Sequence, residues 1–150
     1  MKAVKLEVKT GGYCIRSAEN NDLSTLCEIF NRARTNHASF PDKALSLDSF
    51  SFEIKGEKLL VAERDGFIAG FLSIWAVEGF IHHLYIAPDH QRRGLGRLLL
   101  QACESRFGRP LSLKCLQSNS QACQFYETNG WHGGEVVMGS NGPYIPYVLL

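Results

Sequence analysis

Apolar residues recur along this chain in two rhythms, and the switches between them mark out the elements. Over 22–35 ("DLSTLCEIFNRART"), Leu23, Leu26, Cys27, Ile29, Phe30 and Ala33 return every three or four positions. That is the spacing of one helix face, so the segment is predicted helical. Ser17 or Asn20–Asn21 are its predicted caps, because short side-chain oxygens can accept from the first free amides. "YCIRSA" (13–18) reads as a short strand before it. "KLLVAER" (58–64) and "FIAGFLSIW" (67–75) are apolar strands separated by Asp65-Gly66, a pair suited to a tight hairpin. "GFIHHLYIAP" (79–88) is a third strand, started at Gly79 and stopped at Pro88.

A second helical stripe, Leu95, Leu98, Leu99, Ala102, Cys103 and Phe107, predicts a helix over 94–107 that Gly108 and Pro110 end. "PLSLKCL" (110–116) is a strand and "NSQACQFYETNG" (119–130) a helix closed by Gly130. "GEVVM" (134–138) and "GPYIPYVLL" (142–150) form a final strand pair. Pro146, lacking an amide donor, must then sit at an edge or a bulge. Residues 36–52 are weakly periodic and contain Pro41; they read as loop plus a short helix, the kind of segment that covers a binding site. The order β-α-(α)-β-β-β-α-β-α-β-β implies an α/β (α+β mixed) domain. Its mixed, mostly antiparallel sheet has about six or seven strands, with helices on both faces.

Composition narrows the class. The chain has 150 residues, 45% of them apolar, enough for one cored domain over 1–150. A net charge of +1 gives no electrostatic argument for nucleic acid or an anionic membrane. No apolar run reaches spanning length, and "MKAVKLEVKT" lacks the apolar stretch of a signal peptide. The five cysteines (14, 27, 103, 115 and 123) are odd in number and contain no C-x-x-C. They read as reduced, buried thiols of a cytoplasmic protein.

Local charge changes the picture at "DHQRRGLGRLLLQ" (89–101). A strand ends at Pro88, and a helix begins at Gly94–Gly96 beside Arg92, Arg93 and Arg97. Free helix-start amides and the positive end of the helix dipole, with glycine admitting a bulky anion, make a pyrophosphate site plausible chemistry here. The dinucleotide pattern G-x-G-x-x-G fails at Leu99, and no P-loop string exists. An arginine-rich turn that merely starts a helix remains the other reading of these residues.

"QRRGLG" resembles the Q/R-x-x-G-x-G/A signature of the GNAT N-acetyltransferase superfamily. "SNSQACQFYETNGW" is similar to that family's following motif, and "IRSAENNDLSTL" to its opening strand and helix. The resemblance runs over 12–150 and is strongest from 80 to 131. It implies a GNAT-like fold in which the family's fourth and fifth strands, here 79–88 and 110–116, splay apart to admit acetyl-CoA. It further implies that the backbone of Leu84, Tyr85 and Ile86 pairs with the pantetheine arm. Arg92, Arg93, Gly94, Leu95, Gly96 and Arg97 would form the pyrophosphate loop, although Arg97 equally suits a solvated helix position. Asn119, Ala122 and Phe125 would line the pantetheine channel.

Acetyl transfer needs a neutral amine, a stabilised oxyanion and a proton for the departing thiolate. By the same resemblance Tyr126 is the general acid toward the sulfur; a phenol with a pKa near ~10 is protonated at neutral pH and able to donate. His82 is the candidate base, with a structural histidine as its other reading, and Glu53 and Glu78 are weaker alternatives. Phe80 stands where family members carry glutamate. Side chains alternate along a strand, which sends His82 and His83 to opposite faces and prevents them from sharing a metal; no metal is expected. The expected acceptor is a primary amine of a small molecule or peptide, met by His37, Phe40, Phe52, Trp75 or Tyr144. A non-catalytic CoA-binding sensor or interaction module is the alternative. A homodimer could form if "GPYIPYVLL" lies at a sheet edge; it could equally be an internal strand.

Overall fold

A computed structural model describes residues 5–35 and 44–150. The elements are β1 (Lys5–Thr10), β2 (Tyr13–Ser17), α1 (Leu23–Thr35), α2 (Leu47–Glu53), β3 (Lys58–Arg64), β4 (Phe67–Trp75), β5 (Phe80–Ile86), α3 (Leu95–Phe107), β6 (Leu111–Leu116), α4 (Ser120–Thr128), β7 (His132–Gly133), β8 (Val137–Gly139) and β9 (Gly142–Leu149). The strands form one sheet in the order β1-β2-β3-β4-β5-β6-β9-β7, with β8 also pairing β9. Among the described residues only β5 and β6 run parallel. The predicted mixed, mostly antiparallel sheet is therefore present, but with nine strands among the described residues rather than six or seven.

Two local causes account for the extra strands. The alternation of "KLEVKT" carries few apolar residues, so β1 has a weak pattern. Gly11 and Gly12, at φ 59° and 82°, turn the chain back onto β2. Of the predicted strand 134–138 only 137–138 is strand, in β8; Gly134–Val136 is irregular, and a separate short strand, β7, comes before it. The Asp65-Gly66 hairpin forms as expected, both residues at positive φ (52° and 81°).

The break between β7 and β8 also explains Pro146. It lies in β9, an internal strand paired with β6 on one side (Lys114↔Pro146) and with β7 and β8 on the other. The Pro146 carbonyl accepts from Gly134 N at 2.8 Å, so its nitrogen faces the same side, where the neighbouring strand is interrupted. Neither an edge nor a bulge is needed, because no ladder donor is wanted there. With both sides taken, β9 is the internal strand of the two alternatives that the sequence left open.

Helices cover both faces. The α3 stripe (Leu95, Leu98, Leu99, Ala102) and Tyr126 of α4 pack with Ile15, Leu60, Leu72 and Ile74. On the other face Leu26 and Phe30 of α1 and Phe50 of α2 pack with Val61 and Phe71. The predicted α1 caps are not used. A short 3-10 turn at Asn20–Asp22 leads into the helix, and Asp22 Oδ2 accepts from Glu19 N at 2.7 Å. Arg16 grips the same carboxylate (2.7 and 3.1 Å) and reaches Glu63 at 3.0 Å. The Arg16 hydrogen bonds, above all, hold the Asp22 carboxyl below the usual carboxylate range. Ser17 is occupied elsewhere, its Oγ accepting from Arg106 at 2.6 Å.

Candidate active site

β5 pairs with β6 only through Phe80↔Ser112 and Ile81↔Leu113. Beyond Ile81 the two strands no longer pair, and a cleft of about 490 Å3 opens between them. Of the residues expected at the site, His82, Leu84, Tyr85, Asn119, Ala122 and Tyr126 line this cleft. Ile86 and Phe125 instead pack against the core beside it. Arg97 is exposed and lines a separate groove between α3 and α4, with Glu104, Thr128 and Asn129. Tyr144 lines the main cleft; Phe52 and Trp75 are exposed and do not. Glu78 is exposed in the β4–β5 turn, and Glu53 lines the cleft. His37 and Phe40 lie outside the described residues.

The loop ahead of α3 has the shape an anion site needs. Gly94 caps α3 at φ 79°, a conformation L side chains rarely adopt, and a Cβ built there meets nothing within 4 Å. Its carbonyl accepts from Leu98 N at 3.1 Å, so the amides of the first turn come ahead of the intrahelical ladder. At Gly96 a Cβ would approach Phe125 Cζ at 3.2 Å, so that ring would have to give by a few tenths of an ångström. Arg92 holds φ 64°, a left-handed turn in a non-glycine residue. Arg93 Nη1 donates to Tyr13 Oη at 3.3 Å, so its side chain braces β2.

Asn119 caps α4, its Oδ1 accepting from Ala122 N at 3.2 Å. Asn119→Ala should therefore cost about 1 kcal/mol and lower Tm by about 2–4 °C, read by thermal melting of the unliganded chain. No change in Tm would show that the cap is dispensable.

Tyr126 is 9% exposed, ringed by Phe125, Trp131 and Tyr147 at centroid distances of 5.3, 5.8 and 5.7 Å. Burial raises its phenol well above the ordinary value, so it stays a donor at neutral pH. Cys115 lines the same cleft, and burial pushes its thiol up to about 12.

The histidine pair departs from expectation. Ser73 of β4 pairs with His83, but the next residue, Ile74, pairs with Ile81, leaving His82 as an extra residue in β5. Such a β-bulge cancels one alternation. Ile81 and Leu84 belong to the α3 face, whereas His83 and Tyr85 meet Phe30 of α1. His82 and His83 are thus neighbours on one face, their ring centroids 3.8 Å apart, and not on opposite faces. The argument that they cannot share a ligand falls with the alternation.

Each ring is held from behind. His82 Nδ1 lies 2.9 Å from Glu57 Oε2, and His83 Nδ1 lies 2.9 Å from Ser73 Oγ. The hydrogen bond to Glu57 raises the His82 pKa, while burial lowers that of His83 to about 3. Glu57 is the neighbour of His82 that sequence reasoning missed. It precedes β3, 25 positions from His82, and no local spacing connects the two.

Comparison with known proteins matches residues 19–147 to the family model described as an acetyltransferase (GNAT) domain. The peptidyl-lysine N-acetyltransferase YiaC of Escherichia coli is 40% identical over 73 residues, a match that takes in 48% of this chain and 48% of YiaC. The chain thus spans about half the length of that relative. The L-amino acid N-acyltransferase MnaT of E. coli is 33% identical over 124 residues, 72% of each chain. Among solved structures, YncA from Salmonella typhimurium with its cofactor acetyl-CoA superposes at a TM-score of 0.71. That superposition has 21% identity and covers 93% of this chain and 94% of that one.

Proposed function

Because the chain belongs to the GNAT acetyltransferase domain family, we propose that it transfers an acetyl group from acetyl-CoA to the primary amine of a small molecule or peptide. The observation that carries this reading is the β5–β6 cleft, with Tyr126 in its wall and the Gly94 turn following β5. The cosubstrate fits these residues. An extended arm can lie along β5 where β6 has left it, and Gly94 leaves room for phosphate at the start of α3. When bound, acetyl-CoA supplies an activated thioester.

His82, steadied by Glu57, takes the proton that the amine gives up as its lone pair attacks the acetyl carbon. The carbon–sulfur bond breaks, and Tyr126 gives its proton to the departing thiolate; solvent restores both groups. Burial disfavours phenolate and thiolate alike in this cleft, so the raised Tyr126 pKa does not by itself oppose the transfer. Direct attack is favoured over an acyl-cysteine route because Cys115, with a thiol pushed up to about 12, is not a thiolate nucleophile at neutral pH. The chemistry named for YiaC and MnaT, on peptidyl lysine and L-amino acids, supports an amine acceptor.

The test is release of free thiol from acetyl-CoA, followed with and without a panel of amino acids, small amines and lysine peptides. Acceptor-stimulated release with at least one amine is expected. Tight CoA binding with no stimulated release would instead favour a non-catalytic module.

A further inference from the structure

The β-bulge does more than displace one residue: it collects three metal-ligating atoms where the alternation of a regular strand would have separated them. Glu53 ends α2 and reaches the same spot. Its Oε1 is 3.7 Å from His82 Nε2 and 3.9 Å from His83 Nε2, and the three ligand atoms all lie within 4.8 Å of one another. We propose that Glu53, His82 and His83 form a binding site for a divalent transition-metal ion of the zinc class.

Four observations carry this. The donor set, two imidazole nitrogens and one carboxylate oxygen, is one that zinc takes, with a fourth position left for water. The spacing is close to what is needed. Bonds of about 2.0–2.1 Å in a tetrahedron place ligand atoms about 3.3 Å apart, so the two Glu53 edges must close by about 0.5 Å and the His82–His83 edge, which lies within 4.8 Å, by at most about 1.5 Å.

The rings are also oriented from behind. Metal-binding histidines characteristically hold their second nitrogen on a carboxylate or other polar group, and here Glu57 and Ser73 do so, each at 2.9 Å. Both Nδ1 atoms are thereby engaged, and both Nε2 atoms are directed at Glu53. Access is graded as well. The His83 side chain is buried at 5% exposure, while His82 and Glu53 remain 37% and 42% exposed, which gives the ion a way in.

Charge is balanced rather than prohibitive. Arg34 and Lys114 line the same cleft and oppose a cation, but Glu53 faces it directly. Glu57 stands behind His82 with its Oε1 buried and without a hydrogen-bond partner. A dication bound to His82 would supply the positive charge that this carboxylate faces.

Occupancy has a consequence that rests on the acetyl-transfer reading: a metal on His82 Nε2 removes the lone pair that would take the amine proton. Zinc then acts as an inhibitor rather than as a participant.

The experiment is titration of the unliganded 150-residue chain with Co2+, a spectroscopic stand-in for zinc, without acetyl-CoA. Visible d–d absorption of four-coordinate cobalt is expected, displaced by Zn2+. Glu53→Gln and His82→Asn should weaken binding by about 10–100-fold or more, and Glu57→Gln by about 10-fold, with circular dichroism unchanged. Glu53 lies on an exposed helix end, so that variant tests the site even if changes at His83 unfold the protein.

No visible absorption, or absorption unaltered in Glu53→Gln and His82→Asn, overturns the site. So does a thiolate charge-transfer band in the near ultraviolet, which would move the ion to Cys115 and Cys123, 3.5 Å apart. Cobalt binding in a chain that transfers no acetyl group would uphold the site while defeating the enzymatic reading. Binding without inhibition of an active chain would overturn the inhibitory role.

Discussion

Replacing Tyr126 with phenylalanine should lower kcat by about 10²–10⁴-fold, the range in which removal of a general acid falls, while the Kd for CoA stays within about twofold. The separation of the two effects follows from where the side chain sits. Its ring packs among Phe125, Trp131 and Tyr147, and phenylalanine keeps that ring. Only the hydroxyl of this cleft-lining residue is lost.

The pH dependence gives a second discriminator. On the general-acid reading the acid form of Tyr126 would be the active one, so activity would fall as pH rises through its pKa. Burial sets that pKa above the ordinary ~10, so Tyr126 remains protonated through the neutral and mildly alkaline range. The fractional loss in Tyr126→Phe should therefore be constant from about pH 7 to about pH 9.5. Steady-state thiol release across that range, with CoA binding by calorimetry, makes the check. Full turnover in the variant at every pH would remove Tyr126 from the chemistry.

The fold and the site were legible to different depths, for physical reasons visible in particular residues. α3 could be read because a whole apolar face, from Leu95 to Cys103, repeats within one short window. The hairpin at Asp65-Gly66 could be read because left-handed backbone selects its residues. The turn into α3 could be read because a left-handed glycine cap and the apolar stripe after it are local features. β1 was missed: its six residues carry little apolar signal, and its place is set by pairing with β2 across Gly11–Gly12.

The histidine cluster lay beyond local reading for a stronger reason. Alternation assigns residues 82 and 83 to opposite faces unless a bulge intervenes, and the bulge is a property of how β5 registers on β4 at Ser73 and Ile74. Glu57 and Glu53 then arrive from β3's entrance and from α2, 25 and 29 positions before His82. Their contacts exist only once α2 and β3 are in place beside the sheet. Pro146 teaches the same lesson in reverse. Its missing donor is an objection only if a partner strand runs past it, and the gap between β7 and β8 removes that partner.

Gly94→Leu should raise the KM for acetyl-CoA by about 10–100-fold and leave the acceptor KM nearly unchanged. A factor of 10–100 corresponds to about 1.4–2.7 kcal/mol, which is what one or two hydrogen bonds from backbone amides to a charged phosphate are worth. Gly94 is the sharper of the two glycines for this purpose. At Gly96 a side chain would press on Phe125 at 3.2 Å and so disturb α4, the helix that carries Tyr126, mixing cofactor and chemical effects. At Gly94 a Cβ meets no protein atom within 4 Å, so the leucine side chain starts from open space rather than from packed core.

One cost inside the protein remains: φ 79° strains any L residue, by about 1–2 kcal/mol. Gly94→Asn separates the two, because asparagine tolerates this conformation and projects less bulk. Its acetyl-CoA KM should rise far less than that of the leucine variant. Initial rates measured against each substrate in turn, with the other saturating, decide the matter. A rise confined to the acceptor KM would move the loop from the pyrophosphate to the amine and overturn the orientation of both substrates in the cleft.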